Sequence, residues 1–109
     1  MDKLKKYRQI LKAVTEEHAQ MPSPMNAVLS TAASDFARNN YFLIDFDSHD
    51  KKHYIVFHLR LMNGKIFIEQ DGIEYGIAQD LIDAGVAPED IVSFFQTSSQ
   101  ERENMLIAA

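Results

Sequence analysis

Five side chains able to hold a cation crowd one short stretch: Asp45, Asp47, His49, Asp50 and His53. Carboxylate oxygens and imidazole nitrogens at that density suit a divalent metal. The spacing does not make a calcium loop, because a third acid at the right step, a glycine and a closing glutamate are missing. Asp and His are also ordinary residues of a hairpin loop, and no metal site is assigned. His58 and Glu69 form a second pair, facing each other if the chain turns back at Asn63-Gly64. A His–carboxylate pair can act as a general base. Such a pair more often stabilises a sheet as a cross-strand pair of opposite charge. The third candidate, Asp71-Gly72-Ile73-Glu74-Tyr75-Gly76, precedes a helix start, where backbone amides can bind an anion. It holds no Lys or Arg, and Asp71 and Glu74 would repel phosphate. A nuclease-type acid array with a following lysine is missing, as is any Ser/His/Asp arrangement with a local signature. The assignment is no catalytic residue, no cofactor and no metal.

The elements that position these residues centre on His53–Val86. Asn-Gly between two alternating runs is the strongest short hairpin signal, because a type I′ turn needs positive φ at both central residues. Such a turn sets Met62 opposite Lys65, Leu61 opposite Ile66, Arg60 opposite Phe67, Leu59 opposite Ile68 and His58 opposite Glu69. Alternation then places Ile55, Phe57, Leu59, Leu61, Ile66 and Ile68 on the core face. Val56, His58, Arg60, Phe67 and Glu69 take a mixed, half-exposed face. Ile77, Ala78, Leu81 and Ile82 follow at helical spacing. Gly85 is expected as a left-handed C-terminal residue with Val86 folding back. Pro88 suits the start of another helical turn, with Glu89 and Asp90 near its positive end.

Residues 3 to about 20 read as a helix capped by Asp2, with Leu4, Tyr7, Leu11, Val14 and His18 in a stripe that Ile10 widens. His18 is expected to be hydrogen-bonded or at an edge. Pro22 and Pro24 end this helix. Residues 25–36 lean towards strand, Arg38-Asn39-Asn40 towards a turn, and residues 41–47 towards a strand with Phe42, Ile44 and Phe46 on one face and Tyr41, Leu43, Asp45 and Asp47 on the other. IVSFF after Pro88 is compatible with helix or short strand. Ser98 and Glu101 have capping-box spacing, so a last short helix or an extended tail closes the chain. The expected class is α+β: an antiparallel meander of three or four strands, an N-terminal helix and one or two C-terminal helices, in a single domain over 1–109.

The chain has 109 residues, no cysteine and a net charge of −5. One core is within reach at this length. Thiol chemistry and zinc–thiolate sites are excluded, and no apolar run approaches the ~20 residues of a membrane span. The opening MDKLKKYRQILKAV lacks a signal-peptide pattern, so a cytoplasmic location is expected. The acidic balance argues against dominant non-specific nucleic-acid binding. Charge is uneven, however. Residues 1–12 hold Lys3, Lys5, Lys6, Arg8 and Lys12 against Asp2 alone, while the remainder holds six basic and fifteen acidic residues.

The run NGKIFIEQDGIEYGIAQDLIDAGVAPEDIV resembles the XisI family, the fdxN element excision controlling factors. Gly64-Lys65-Ile66, Ile68, Asp71-Gly72, Glu74, Gly76-Ile77-Ala78, Leu81, Gly85-Val86 and Asp90-Ile91-Val92 carry the resemblance. Met1-Asp2-Lys3-Leu4, Tyr7-Arg8, Ile10 and the two prolines echo the family's opening. Three departures stand out: a missing glutamate within Asp35–Tyr41, Phe67 where the family commonly has Trp, and Gln96-Thr97-Ser98 in place of a His-Pro-Pro-like segment. The resemblance implies a XisI-like fold and control of site-specific excision of a DNA element in cyanobacterial differentiation. It also implies a XisH-like, endonuclease-related partner, with DNA recombination carried out by others. An acidic body suits a basic DNA-handling protein. The candidate contact residues are Lys3, Lys5, Lys6 and Arg8 on the first helix, His58, Arg60, Phe67 and Glu69 on the outer hairpin face, and Asp71 and Glu74.

Two other readings make different demands. Direct DNA binding needs Lys3, Lys5, Lys6 and Arg8 exposed on one face, with steep salt dependence. A small-molecule site or enzyme needs a cleft of a few hundred Å³ at the 45–53 loop or the His58 face. A homodimer is compatible with all three and would be supported by an apolar patch including Phe67 or Val56.

Overall fold

Asn63 and Gly64 have φ of 54° and 75°, so the chain reverses through the left-handed pair of residues that a type I′ turn requires. The computed structural model describes residues 2–21 and 28–93. This turn joins β3 (Lys52–Met62) to β4 (Lys65–Asp71). Ahead of them lie α1 (Lys3–Gln20), β1 (Val28–Asp35) and β2 (Asn40–Asp47). After them come α2 (Ile77–Ala84), a 3-10 turn (Pro88–Asp90) and β5 (Ile91–Ser93). The sheet runs β1-β2-β3-β4-β5. Its first three pairings are antiparallel, as expected of a meander. The fifth strand pairs parallel to β4, because α2 carries the chain back across the sheet before Ile91.

Both helices cover one face. Tyr7, Leu11 and Val14 of α1 meet Tyr41, Leu43, Phe57, Leu59, Leu61, Ile66 and Ile68 of the sheet, with Ile77, Leu81 and Val86 closing the same cluster. The Asp2 side chain caps α1 by accepting from the N–H groups of Leu4 and Lys5. α2 ends at Gly85, whose N–H donates to the Ile82 carbonyl while Val86 N–H reaches Leu81. Val86 is buried, as a residue folding back after the cap should be.

The expected register holds from Met62↔Lys65 to Leu59↔Ile68 and then breaks. A bulge between His58 and Leu59 sets His58 opposite Gln70, so His58 and Glu69 are not a facing pair. A second irregularity between Leu43 and Ile44 shifts the pairing of β2 with β3. It turns Ile55 out of the core face, where it is 43% exposed. Phe67 departs in the other direction: it sits on the outer face yet is 4% exposed. Of the two faces of β2, Tyr41 and Leu43 point into the core. The helix-ending role of Pro22 and Pro24, and the expectations for Phe94-Phe95, Gln96–Ser98 and the Ser98/Glu101 segment, lie outside the described residues.

Candidate functional site

The helices leave the other face of the sheet uncovered among the described residues. The ladder arranges it in rows: Leu29–Phe46–His53, Thr31–Ile44–Ile55, Ala33–Phe42–His58 and Asp35–Asn40–Arg60–Phe67. Opposed residues share a face because side chains alternate along each strand. Leu29 is 62% exposed, while Phe42, Ile44 and Phe46 are half-buried. Aromatic rings pave the middle. Phe42 stacks on the His58 ring at 4.2 Å, and Phe46 lies 4.7 Å from His53. His58 Nε2 donates to Asn40 Oδ1 at 2.8 Å, since that oxygen already accepts from Arg60 Nε and can only be an acceptor.

Two polar clusters clamp the helices to this platform from the other side. Tyr7 O–H donates to Asp90 Oδ2 at 2.6 Å, and the Lys3 ammonium reaches the same oxygen at 2.8 Å. Hydrogen bonds from Lys3 and then Tyr7 hold the Asp90 carboxyl below its ordinary range. The bond to Asp90 raises Lys3. Burial, followed by the bond to Asp90, pushes the Tyr7 phenol up. In the second cluster the buried His18 pairs through Nε2 with Asp80 Oδ2 at 2.5 Å, and Tyr75 O–H donates to that same oxygen at 2.7 Å. The His18 ring meets Phe57 edge-on at 5.7 Å. This cluster joins α1 to α2.

A cleft of about 440 Å³ opens where the β1–β2 and β3–β4 turns approach the start of α1. Arg38, Asn39, Asn40 and Arg60 form its polar wall. The loop at 45–53 gathers nothing comparable. Asp47 accepts from the backbone of His49 and Asp50, and Asp45 accepts from Ser30. Among the described residues no three His, Cys, Asp or Glu side chains converge as metal ligands.

The sequence model of the XisI protein family matches residues 1–106. The chain belongs to the XisI family. Two solved structures have the same fold. A XisI-like protein from Anabaena variabilis ATCC 29413 superposes with a TM-score of 0.75 at 24% identity, over 93% of this chain and 94% of that one. The fdxN element excision controlling factor XisI from the same organism gives a TM-score of 0.70 at 26% identity, over 88% of this chain and 89% of that one. None of the curated proteins matches.

The residues that tie this chain to the XisI family mostly hold its backbone. Asp71 accepts from Ile73 N–H and, through its other oxygen, from Ile77 N–H at the start of α2. Asp71 therefore caps a helix. Gly72 lies so close to β3 that a Cβ there would stand 2.7 Å from the Val56 carbonyl oxygen. Tyr7 and Asp90, from the two ends of the XisI pattern, bond to each other. Glu74 is exposed on the loop before α2.

The basic first helix divides its cations. Lys3 turns to Asp90 and Arg8 to Asn39 Oδ1, while Lys6 lies beside Gly85 at the negative end of α2. Lys5 is exposed. Sequence reasoning missed Asn40, a buried amide that accepts from two side chains, and the partners of Tyr7 and His18. An Asn before a strand signals a turn and carries no sign of such a junction. Phe67 is buried and Val56 packs at the core margin, so neither supplies the exposed apolar patch that would support a homodimer.

Proposed function

We propose that this chain is a non-enzymatic accessory factor that controls site-specific excision of a DNA element, and that it acts by binding a XisH-like, endonuclease-related protein. The observation that carries the reading is the outer sheet face, where exposed Leu29 and Ile55 flank half-buried Ile44 and Phe46 in one apolar band. Exposed apolar surface grouped in this way marks protein contact. The acid-rich remainder of the chain favours a basic, DNA-handling partner. The Anabaena relative named as an fdxN element excision controlling factor supports the controlling role. DNA is then met only indirectly. Direct binding through α1 is the weaker reading, because Lys3, Lys6 and Arg8 point to three different parts of their own body.

Co-purification with a XisH-like protein tests this. The wild-type chain should retain the partner, and the double variant Leu29→Glu, Ile55→Glu should lose at least about tenfold in affinity. Its thermal stability should stay within about 0.5 kcal/mol of wild type, as for exposed positions. Failure of the wild-type chain to retain the partner, together with a strong low-salt gel shift on DNA, sinks the proposal. Sedimentation of the chain alone separates a partner face from a self-association face.

A further inference from the structure

We propose that the cleft at the turn end of the sheet binds a small organic phosphate monoester. This inference is independent of the partner-binding reading and uses other residues. Amides of the cleft wall hold two arginines, Arg60 on the wall itself and Arg8 beside it. Arg60 donates Nε–H to Asn40 Oδ1 at 2.8 Å, and Arg8 donates Nε–H to Asn39 Oδ1 at 2.7 Å. A guanidinium cannot give up its charge, and an amide orients it without neutralising it. The terminal nitrogens of Arg60 have no hydrogen-bond partner among the described residues. Asn40 is 7% exposed, so the holding group is itself fixed by burial.

The amide bonds also decide what Asn39 and Asn40 present. With their oxygens turned to arginines, Asn39 keeps its NH₂ group as a donor, while Asn40 Nδ2 donates one N–H to Asp35 Oδ2 at 3.4 Å and keeps the other. Arg38 stands on the same wall, its side chain 80% exposed, with Asp35 3.5 Å from one terminal nitrogen. Asp35 is the one carboxylate that touches this wall among the described residues, also lying 3.4 Å from the Asn40 amide. The wall is therefore rich in forked donors, which match the oxygens of a phosphate bidentately.

The apolar part of the lining chooses an organic phosphate over a bare ion. Leu4 is 42% exposed there, although its place in the helical stripe would have buried it. Leu61 and Met62 continue the apolar side. A volume of about 440 Å³ is in the range of small-ligand sites. A concave site of that size in a chain of net charge −5 suits a compact ligand better than a polyanion.

The test is an NMR titration of the full chain at low salt with adenosine monophosphate, with inorganic phosphate and with a short single-stranded DNA. Adenosine monophosphate should shift the side-chain amides of Asn39 and Asn40 and the backbone amide of Leu61. Arg60→Gln should weaken it by about tenfold or more, and the exposed Arg38→Gln, which leaves the fold unchanged, should weaken it measurably. Lys5→Gln should change nothing. The proposal fails if adenosine monophosphate leaves these signals unmoved at about 10 mM, a level far above any useful affinity. It also fails if both arginine variants bind as wild type, or if inorganic phosphate binds equally well. Tight binding of the DNA with adenosine monophosphate silent would assign the wall to a nucleic-acid backbone and overturn the small-ligand reading.

Discussion

Asp90 receives two donors on one oxygen, Tyr7 and Lys3, and its side chain is 12% exposed. Its lowered pKa is a statement about stability against pH. A depressed carboxyl stabilises the fold above the unfolded-state value near 3.8 and loses that contribution as pH falls through the folded value. Lys3 and Tyr7 are raised, so their contributions are complete below their ordinary values and disappear as pH rises through the folded ones. Asp90→Asn removes the charge and keeps the shape. It should lower the melting temperature at pH 7 and flatten the loss of stability below about pH 4, where the wild-type carboxyl titrates. Melting curves from pH 2 to pH 8 read this directly, and equal acid slopes in the two proteins would show that Asp90 is not the group responsible. None of the cluster was legible in the sequence. Tyr7 was placed on a buried stripe and Asp90 near a helix start, both correctly, but the bond spans 83 positions and no local pattern encodes it.

At the scale of elements, what could be read was what short-range geometry dictates. The Asn63-Gly64 turn fixed four cross-strand pairs in advance because a two-residue turn leaves no slack. The prediction ended at the first bulge. One extra residue at Glu69 leaves the hydrophobic alternation of β4 almost unchanged, so nothing in the pattern betrays it. The same insensitivity hid the shift at Leu43/Ile44 and left Ile55 on the wrong side. Strand β5 was open between helix and strand because three residues are too few to show a period. In the sequence Gly72 reads only as part of the loop before a helix, whereas the need for glycine there comes from contact between elements. Its N–H donates to the Val56 carbonyl at 2.7 Å, and a Cβ would collide with that same oxygen. Gly72→Ala should therefore cost about 1–3 kcal/mol, the usual range for forcing atoms into a packed site. Urea denaturation gives the number, and a midpoint equal to wild type would mean that β3 and β4 separate freely at this end.

For the molecule as a whole, the arrangement of one covered and one uncovered sheet face makes the helices indispensable. An 18-residue helix is marginal in water on its own, so α1 owes its persistence to Tyr7, Leu11 and Val14 packing on the sheet. The dependence runs both ways. Without α1, Tyr41, Leu43, Phe57 and Leu59 would join Leu29 and Ile55 in water, and the sheet would present apolar residues on both sides. Helix α2 is bound into the same cluster through Ile77 and Leu81 and braced to α1 by His18, Asp80 and Tyr75. A single core shared by α1, α2 and the strands β2, β3 and β4 predicts two-state unfolding of that body. Far-UV circular dichroism, weighted towards the helices, and tyrosine fluorescence, which includes the buried Tyr7 and Tyr41, should trace one urea transition with one midpoint. The slope should lie at about 1–3 kcal/mol per molar urea. If the helical signal is lost at lower urea than the tyrosine signal, α1 is a detachable cover, and the sheet has a second way of meeting a partner.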